Sequence, residues 1–295
     1  MKRAFYKKIF YAMANPLLRH LSDDLFYRIR YFLATRQILH LKNPKTFNEK
    51  IQWIKLNDRR AIYTECADKY AVRKFVKERI GEEYLIPLLG VWNKAEEIDF
   101  GSLPDQFAIK CNHDFGSILI CKNKNEFDIK KAIEHFREKL NYDHYKTARE
   151  WAYKNVLRKI VAEQLILDKN GNVPADCKMH CFNGEPKYIQ LISNRFTDST
   201  RAAFYDVNWV LQEFTTATYP NTGEIDAKPM QLEKMLELAK KLSEDFSYVR
   251  IDFYIANNER IYFSEMTFYP TAGYSKFIPK KYGMIFGDLI KLEIR

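Results

Sequence analysis

The segment Tyr248-Val-Arg-Ile-Asp-Phe-Tyr-Ile255 constrains this chain more than any other, because Arg250, Asp252 and Tyr254 alternate with Val249, Ile251 and Phe253. A period of two is the mark of a β-strand, and it sends the polar groups to one face and the apolar ones to the other. Such a strand needs a packed core on one side and an ionic site on the other. Beyond a turn at Asn257-Asn258, the strand Ile261–Glu265 ends on a second alternating pair, Glu265 and Thr267. Hairpin pairing sets that carboxylate and hydroxyl beside Asp252. Two facing acids need a cation, which is either a neighbouring lysine or a Mg²⁺ ion held jointly with phosphate oxygens and water.

Upstream, Phe107-Ala-Ile-Lys-Cys111 reads as a strand, Asn112 to Ser117 as a polar loop containing Gly116, and Ile118–Cys121 as a second strand. Lys110 therefore stands before a loop of exposed amides, an arrangement that holds phosphate, or else it snorkels from an edge strand. The loop lacks the GxxxxGK[ST] spacing. Helices are expected from Thr46 or Asn48 through Leu56, over about 60–79 up to Gly81, over 128–158 and from Pro229 to Ser243. Further strands are expected at Tyr84–Pro87, Lys159–Leu167, 176–182 and 187–193, with turns at Asp168–Gly171 and Asn183-Gly184. Lys178, two residues before His180, suits either a phosphate contact or a pair with a core acid.

With 295 residues, 46% of them hydrophobic, the chain can bury a large core in one or two closely packed domains. It holds no apolar run of the roughly 18 residues that a membrane-spanning helix needs. Its five cysteines show no metal-ligand spacing, which suits a reducing, cytoplasmic setting and a core role for Cys111, Cys121 and Cys181. The net charge of +10 is uneven: residues 1–45 hold ten Lys or Arg against Asp23 and Asp24. Bases interleave there with Phe, Tyr, Ile and Leu as in an amphipathic helix, which either packs on its own domain or meets an anionic membrane surface or acidic glycan. No nucleic-acid-binding motif accompanies the charge, so nucleic acid is not an expected partner.

The order is a lysine-bearing strand, a flexible loop, a long helical region, the strand Ile160–Ile166, then Arg-x-Asp and, beyond it, Glu-x-Thr. With FAIKCNHDFGS at 107–117, CKMHCFNGEPKYI at 177–189, VRIDFY at 249–254 and SEMTFYPTAG at 264–273, the chain resembles the ATP-grasp superfamily. In detail it is similar to the TupA-like, teichuronopeptide-type branch found in bacterial surface-polysaccharide gene clusters, over about residues 40–290. The resemblance implies an α+β ATP-grasp fold, two mixed or antiparallel sheets with flanking helices, here preceded by a basic helical N-terminal extension over 1–60. An N-terminal α/β portion would cover 61–105, a small lobe with phosphate loop and hinge 106–167, and a C-terminal lobe with the Mg²⁺-binding strands 168–295.

The same resemblance implies ATP and Mg²⁺ as cofactors. Lys110 would contact the α/β-phosphates, the loop with Phe115, Gly116 and Ser117 would close over them, and Glu163, Gln164, Leu165 and Ile166 would hold adenine. Asp252 and Glu265 would carry Mg²⁺. Thr267 stands where the superfamily has Asn, which leaves the metal number open. Lys69, in Asp68-Lys69, falls where related enzymes open a helix whose lysine reaches phosphate, and it serves equally as a solvated helix lysine. Arg250 aligns with an arginine that stabilises a developing oxyanion, or pairs simply with Asp252 or Glu265. His113, Asp114, Arg195, Asp198, Arg201 and Tyr205 are candidates for a polar or acidic acceptor.

The implied reaction is ATP-dependent carboxylate–amine ligation through an acyl phosphate. It would join a uronic-acid carboxylate of a surface polysaccharide, or of its nucleotide- or lipid-linked precursor, to an amino acid or small amine, in the cytoplasm or at the inner membrane face. The alternative is a glycosyltransferase holding a metal-bound nucleotide sugar, against which the chain contains no DxD. A third class, a nucleotide-regulated scaffold that binds polysaccharide, leaves the Arg250, Asp252 and Glu265 set without work.

Overall fold

The computed structural model describes residues 20–168, 170–194, 197–218, 223–256 and 260–292. Most of the expected basic N-terminal helix, the candidate Arg195 and the turn at Asn257-Asn258 lie outside them. Helix α1 (Asp23–Thr35) starts at Ser22, whose hydroxyl accepts from Leu25 N, and carries Asp23 and Asp24 at its positive end. Helix α2 (Phe47–Asn57) opens on Thr46 with a full capping box closed by Glu49. Phe47, Ile51 and Ile54 of α2 enter the main core, so this part of the extension is joined into the body.

The helix expected over about 60–79 is broken into α3 (Ala61–Ala67) and α4 (Val72–Ile80). Asp68 causes the break: its Oδ1 accepts from Tyr70 N, Ala71 N and Asn112 Nδ2 at 2.8, 3.2 and 2.8 Å, competing with the helical ladder. Where a strand is expected at Tyr84–Pro87, Tyr84 closes a 3-10 turn over 82–84, Leu85 makes an isolated bridge with Phe263, and strand β1 is Leu88–Trp92. The expected helix over 128–158 likewise resolves into α5 (Ile129–Asn141), α6 (His144–Ala148) and a 3-10 turn at Trp151–Tyr153. Asp143 starts α6 by accepting from Lys146 N, and Arg149 ends it with φ of 49°.

Strands β2 (Phe107–Cys111), β3 (Leu119–Cys121) and β4 (Ile160–Gln164) join β1 in an antiparallel sheet of order β1-β4-β2-β3. Phe107, Ile109 and Ile160 bury one face against Phe136 of α5. The second sheet contains β5 (Asp176–Phe182), β6 (Glu185–Ser193), β7 (Arg201–Asp206), β9 (Tyr248–Ala256) and β10 (Arg260–Thr267), ordered β10-β9-β5-β6-β7 and also antiparallel. The short β8 (Thr215–Thr216) pairs with β11 (Phe277–Ile278). Met179, Leu191, Ile251 and Phe253 share a core with Met235, Leu238 and Leu242 of α7 (Leu232–Ser243). Each such side chain contributes roughly 1.5–3 kcal/mol on burial. Phe286 of α8 (Tyr282–Leu289) stacks on Tyr188 at 4.7 Å and covers part of the opposite face.

Candidate active site between the two sheets

On β9 the alternation read from sequence holds: Val249, Ile251 and Phe253 are fully buried in the core, while Arg250 and Asp252 take the other face. Asp252 is also 0% exposed, and three N–H donors satisfy it. Arg250 Nε donates to Oδ1 and Arg250 Nη2 to Oδ2, each at 2.7 Å, and Lys178 Nζ donates to Oδ2 as well. Lys178 arrives because β5 pairs with β9 in the register Lys178↔Asp252. Asp176 Oδ2 lies 3.5 Å from the same lysine. Burial alone would raise the Asp252 carboxyl, but the Arg250 and Lys178 cations outweigh it and hold the group below the usual carboxylate range.

Strand β10 brings Glu265 opposite Asp252 and Thr267 opposite Arg250. This depends on a β-bulge: Phe263 faces Phe253, the register then shifts, and Glu265 faces Asp252. Arg250 Nη2 donates to Thr267 Oγ1 at 3.0 Å and reaches Glu265 Oε1 at 3.4 Å. Glu265 keeps 30% of its side chain exposed, and its Oε2 lies 3.8 Å from Lys69 Nζ. Lys69 also donates to the carbonyl of Asp114 at 2.6 Å, so one ammonium joins the acid of the large sheet to the loop of the small one.

In the small sheet Lys110 pairs with Glu163 Oε2 at 2.6 Å, and Arg73 Nη1 reaches Glu163 Oε1 at 3.2 Å. Lys110 thus neutralises a strand acid, while the Glu163 carboxylate is engaged by two cations. The loop after β2 is anchored by Asn112, whose side chain donates to Asp68 and to Leu157 O at 2.8 and 2.9 Å and accepts from Lys159 N at 2.7 Å. Ser117 donates to Asp114 Oδ1 and accepts from Cys111 N. His113, Asp114 and Ser117 are therefore buried inside the loop. The tip presents Phe115, 67% exposed, and Gly116 at φ of 96°, where a side chain would be strained. At the end of β4 Gln164 is exposed, and beyond it Ile166 packs with Ile86, Tyr262 and Tyr254, an apolar surface on the Asp252 side of β9.

The candidates do not all converge. Arg201 and Tyr205 alternate with Ala202 and Phe204, and the register Ser193↔Arg201 puts both on the core face with Leu191 and Phe253, away from Asp252. Arg201 makes a two-pronged pair with Asp226, which Tyr205 OH also meets at 3.0 Å. Neither residue belongs with the acceptor candidates. Asp198 is exposed in the turn before β7. Sequence reasoning missed Arg73, in the first turn of α4 just beyond the break that holds Lys69, and Asp176, which shares Lys178's strand parity. It gave His180 no role. That ring is buried, its Nδ1 lies 2.8 Å from Tyr248 OH, and burial, then the Arg250 charge, pushes it down to about 3.

Across the two sheets Lys69, Arg73, Lys110, Lys178 and Arg250 meet Glu163, Asp176, Asp252 and Glu265, five cations to four acids, a surplus that suits a polyphosphate. Asp252, satisfied by three donors, offers no seat for a bare ion. Among the described residues no group of three or more His, Cys, Asp or Glu is placed to hold a metal ion by itself. Glu265, half-open beside the Thr267 hydroxyl, fits Mg²⁺ that arrives with phosphate oxygens completing its shell.

No curated protein sequence matches the chain significantly. Among solved structures, the D-alanine–D-alanine ligase of Bacillus anthracis complexed with ATP aligns with 16% identity and a TM-score of 0.44, covering 77% of this chain and 63% of that one. The L-amino acid ligase of Bacillus licheniformis aligns with 10% identity and a TM-score of 0.47, covering 77% and 49%. The biotin carboxylase domain of Hydrogenobacter thermophilus 2-oxoglutarate carboxylase aligns with 13% identity and a TM-score of 0.41, covering 78% and 47%. The chain thus spans less than two thirds of the length of each. A family model described as TupA-like ATPgrasp matches residues 49–291, taking in both sheets and every element of the site above, and the chain belongs to that family.

Proposed function

We propose that the chain is an ATP-dependent carboxylate–amine ligase. Its carboxylate substrate would be a uronic acid of a bacterial surface polysaccharide, or of a nucleotide- or lipid-linked precursor, and its amine an amino acid or similar small amine. Family membership supports the ATP chemistry. The observation that carries the reading is the continuous array Lys178–Asp252–Arg250–Glu265–Lys69, which ends on the loop of the opposite sheet.

In this reading Lys110, Lys69 and Lys178 neutralise phosphate oxygens, the tip at Phe115 and Gly116 with Ser117 behind it excludes water, and Gln164 to Ile166 line the base. Glu265 and the Thr267 hydroxyl would hold Mg²⁺ together with phosphate oxygens, with Asp252 joining them only where Lys178 or Arg250 turns from it to phosphate, and the ion would offset phosphate charge. The substrate carboxylate oxygen takes the γ-phosphoryl group, releasing ADP. The amine then attacks the acyl carbon, phosphate leaves, and the nitrogen gives up a proton. Arg250, fixed by four hydrogen bonds, steadies the oxyanion formed at that carbon. Use of ATP argues for a cytoplasmic setting, and no helix among the described residues is long and apolar enough to cross a membrane.

Titration calorimetry with Mg²⁺ and ATP, followed by ADP release against paired panels of uronic acids and amino acids, tests this. Binding should weaken by about 10–100-fold in Lys110→Ala, the loss expected for a charge-assisted contact. ADP release should require both a carboxylate and an amine. Binding of a UDP-sugar with none of ATP would replace the ligase with a glycosyltransferase.

A further inference from the structure

Three grooves open along α1 and the connection after it, two of them sharing Arg28, Ile38 and Leu39. One, of about 610 Å³, lies between Tyr31 and Thr35 of α1 and the Phe277–Lys280 segment. A second, of about 320 Å³, runs along Ile29, Phe32 and Leu33 of α1 to Ile38. The third, of about 620 Å³, follows Ile38 to Lys45 and ends at Met284. Around them stand exposed apolar side chains: Phe32 at 49%, Ile38 at 70%, Ile278 at 54% and Met284 at 41%. A monomer seldom leaves so many large apolar groups together in water.

The exposed charged side chains that line the grooves are all basic. Lys42, Lys45, Lys276 and Lys280 line the grooves and are exposed. The acid lining them is Glu49, which is buried and tied to His40 N, Lys45 N and Thr46 N. Arg28 is balanced by Asp24. Apolar groups at the level of lysine ammoniums match the boundary between acyl chains and anionic headgroups.

We infer that this face, built from α1, the 36–45 connection and the β11–α8 segment, docks on an anionic lipid bilayer. Charge decides between occupants. A second copy facing its twin would set lysine against lysine. Residues 1–19 hold Lys2, Arg3, Lys7, Lys8 and Arg19 and no acid, so they too would bring like charge to the face. The acidic surface is complementary to both. The face reaches the site through a short path: Ser275 lines the first groove, and its hydroxyl lies 2.6 Å from Thr271 Oγ1, four residues after Thr267. Docking therefore brings the acid-bearing segment close to anything carried in the membrane.

The test is co-sedimentation of the full chain with vesicles of phosphatidylcholine alone and of phosphatidylcholine mixed with phosphatidylglycerol, at low and high salt. The intact chain should bind the mixed vesicles and leave the neutral ones. Reversing Lys42, Lys45, Lys276 and Lys280 to Glu together should weaken binding at least about tenfold. Ile38→Ser with Ile278→Ser and Met284→Ser should weaken it with the lysines intact, and near-ultraviolet circular dichroism confirms that both variants fold. Equal binding to neutral vesicles would overturn the inference. So would binding that survives both face variants and vanishes on changing Lys2, Arg3, Lys7 and Lys8 to Gln. Failure to bind any vesicle, with a dimer that the face variants dissolve, would assign the face to a second copy. Vesicle binding needs no nucleotide, so its failure and that of the ligase reading are separable.

Discussion

The large sheet carries two arginine–aspartate pairs of almost the same chemistry, Arg250–Asp252 and Arg201–Asp226, and they face opposite ways. Each arginine grips its carboxylate with two nitrogens, and each aspartate accepts from a further side chain. Arg250 lies on the face toward the small sheet, where its charge is shared among Asp252, Glu265 and Thr267. Arg201 lies on the core face, where the Asp226 carbonyl also accepts from Trp209 Nε1 at 2.9 Å and the Tyr205 ring stacks on Trp209 at 4.2 Å. The second pair ties residues 224–226 to the sheet. Identity of the charges does not separate a reactive array from a structural clamp; strand parity and neighbours do.

The sharpest way to break this comparison is to neutralise the two acids. Asp252→Asn is expected to lower ATP-dependent turnover at least about 10³-fold, as loss of a group that organises developing charge does. Asp226→Asn should leave turnover per folded molecule within about twofold in the same ADP-release assay. Equal losses would mean that both faces serve the reaction. Next in size is stability: Arg201→Ala leaves Asp226 without its main partner in a mostly buried position and should cost about 2–4 kcal/mol in urea unfolding. A cost under about 1 kcal/mol would show that water or Tyr205 suffices there.

The smallest effect concerns pH. His180, beside the Arg250 face, is depressed from about 6.5 to about 3, first by burial and then by Arg250. The unfolded chain therefore takes up a proton below 6.5 that the folded chain refuses. The contribution is fully present above 6.5 and is lost as pH falls toward 3. Between pH 6.5 and 5 it amounts to about 2 kcal/mol, and His180→Gln should remove that part of the acid slope in urea midpoints. An unchanged slope would place the acid sensitivity elsewhere.

Much of this was legible in the sequence because hairpin neighbours and strand alternation are local. The residues YVRIDFYI specify a two-faced strand, and Asn183-Gly184 marks the turn that sets Lys178 in its sheet. What failed was less local. The helices over 60–79 and 128–158 read as continuous because their apolar spacing is helical, whereas Asp68 and Asp143 break or restart them through side-chain bonds that periodicity does not report. Arg201 was grouped with the site because its parity relative to Asp252 depends on the pairing of four strands. Lys55 was invisible for another reason. It looks like a surface lysine of α2 yet is 0% exposed, donates to Ala272 O at 3.1 Å and lies 4.7 Å from the Tyr27 ring, with burial lowering it to about 8.

The extra residue at the β10 bulge acts as a frameshift written into backbone. Up to Phe263 the strand counts in one phase, with Ile261 and Phe263 supplying core; from Glu265 onward it counts in the other. Were Ser264 paired into a regular ladder and the bulge lost, Ser264 would face Asp252, and Glu265 and Thr267 would turn toward the core, exchanging places with Met266. An acid and a hydroxyl would then replace a thioether in an apolar interior, while Asp252 would lose its facing carboxylate. One residue with no side-chain part in the array thus governs whether a second carboxylate exists there at all. Comparing related chains at this strand therefore requires counting residues as well as matching letters.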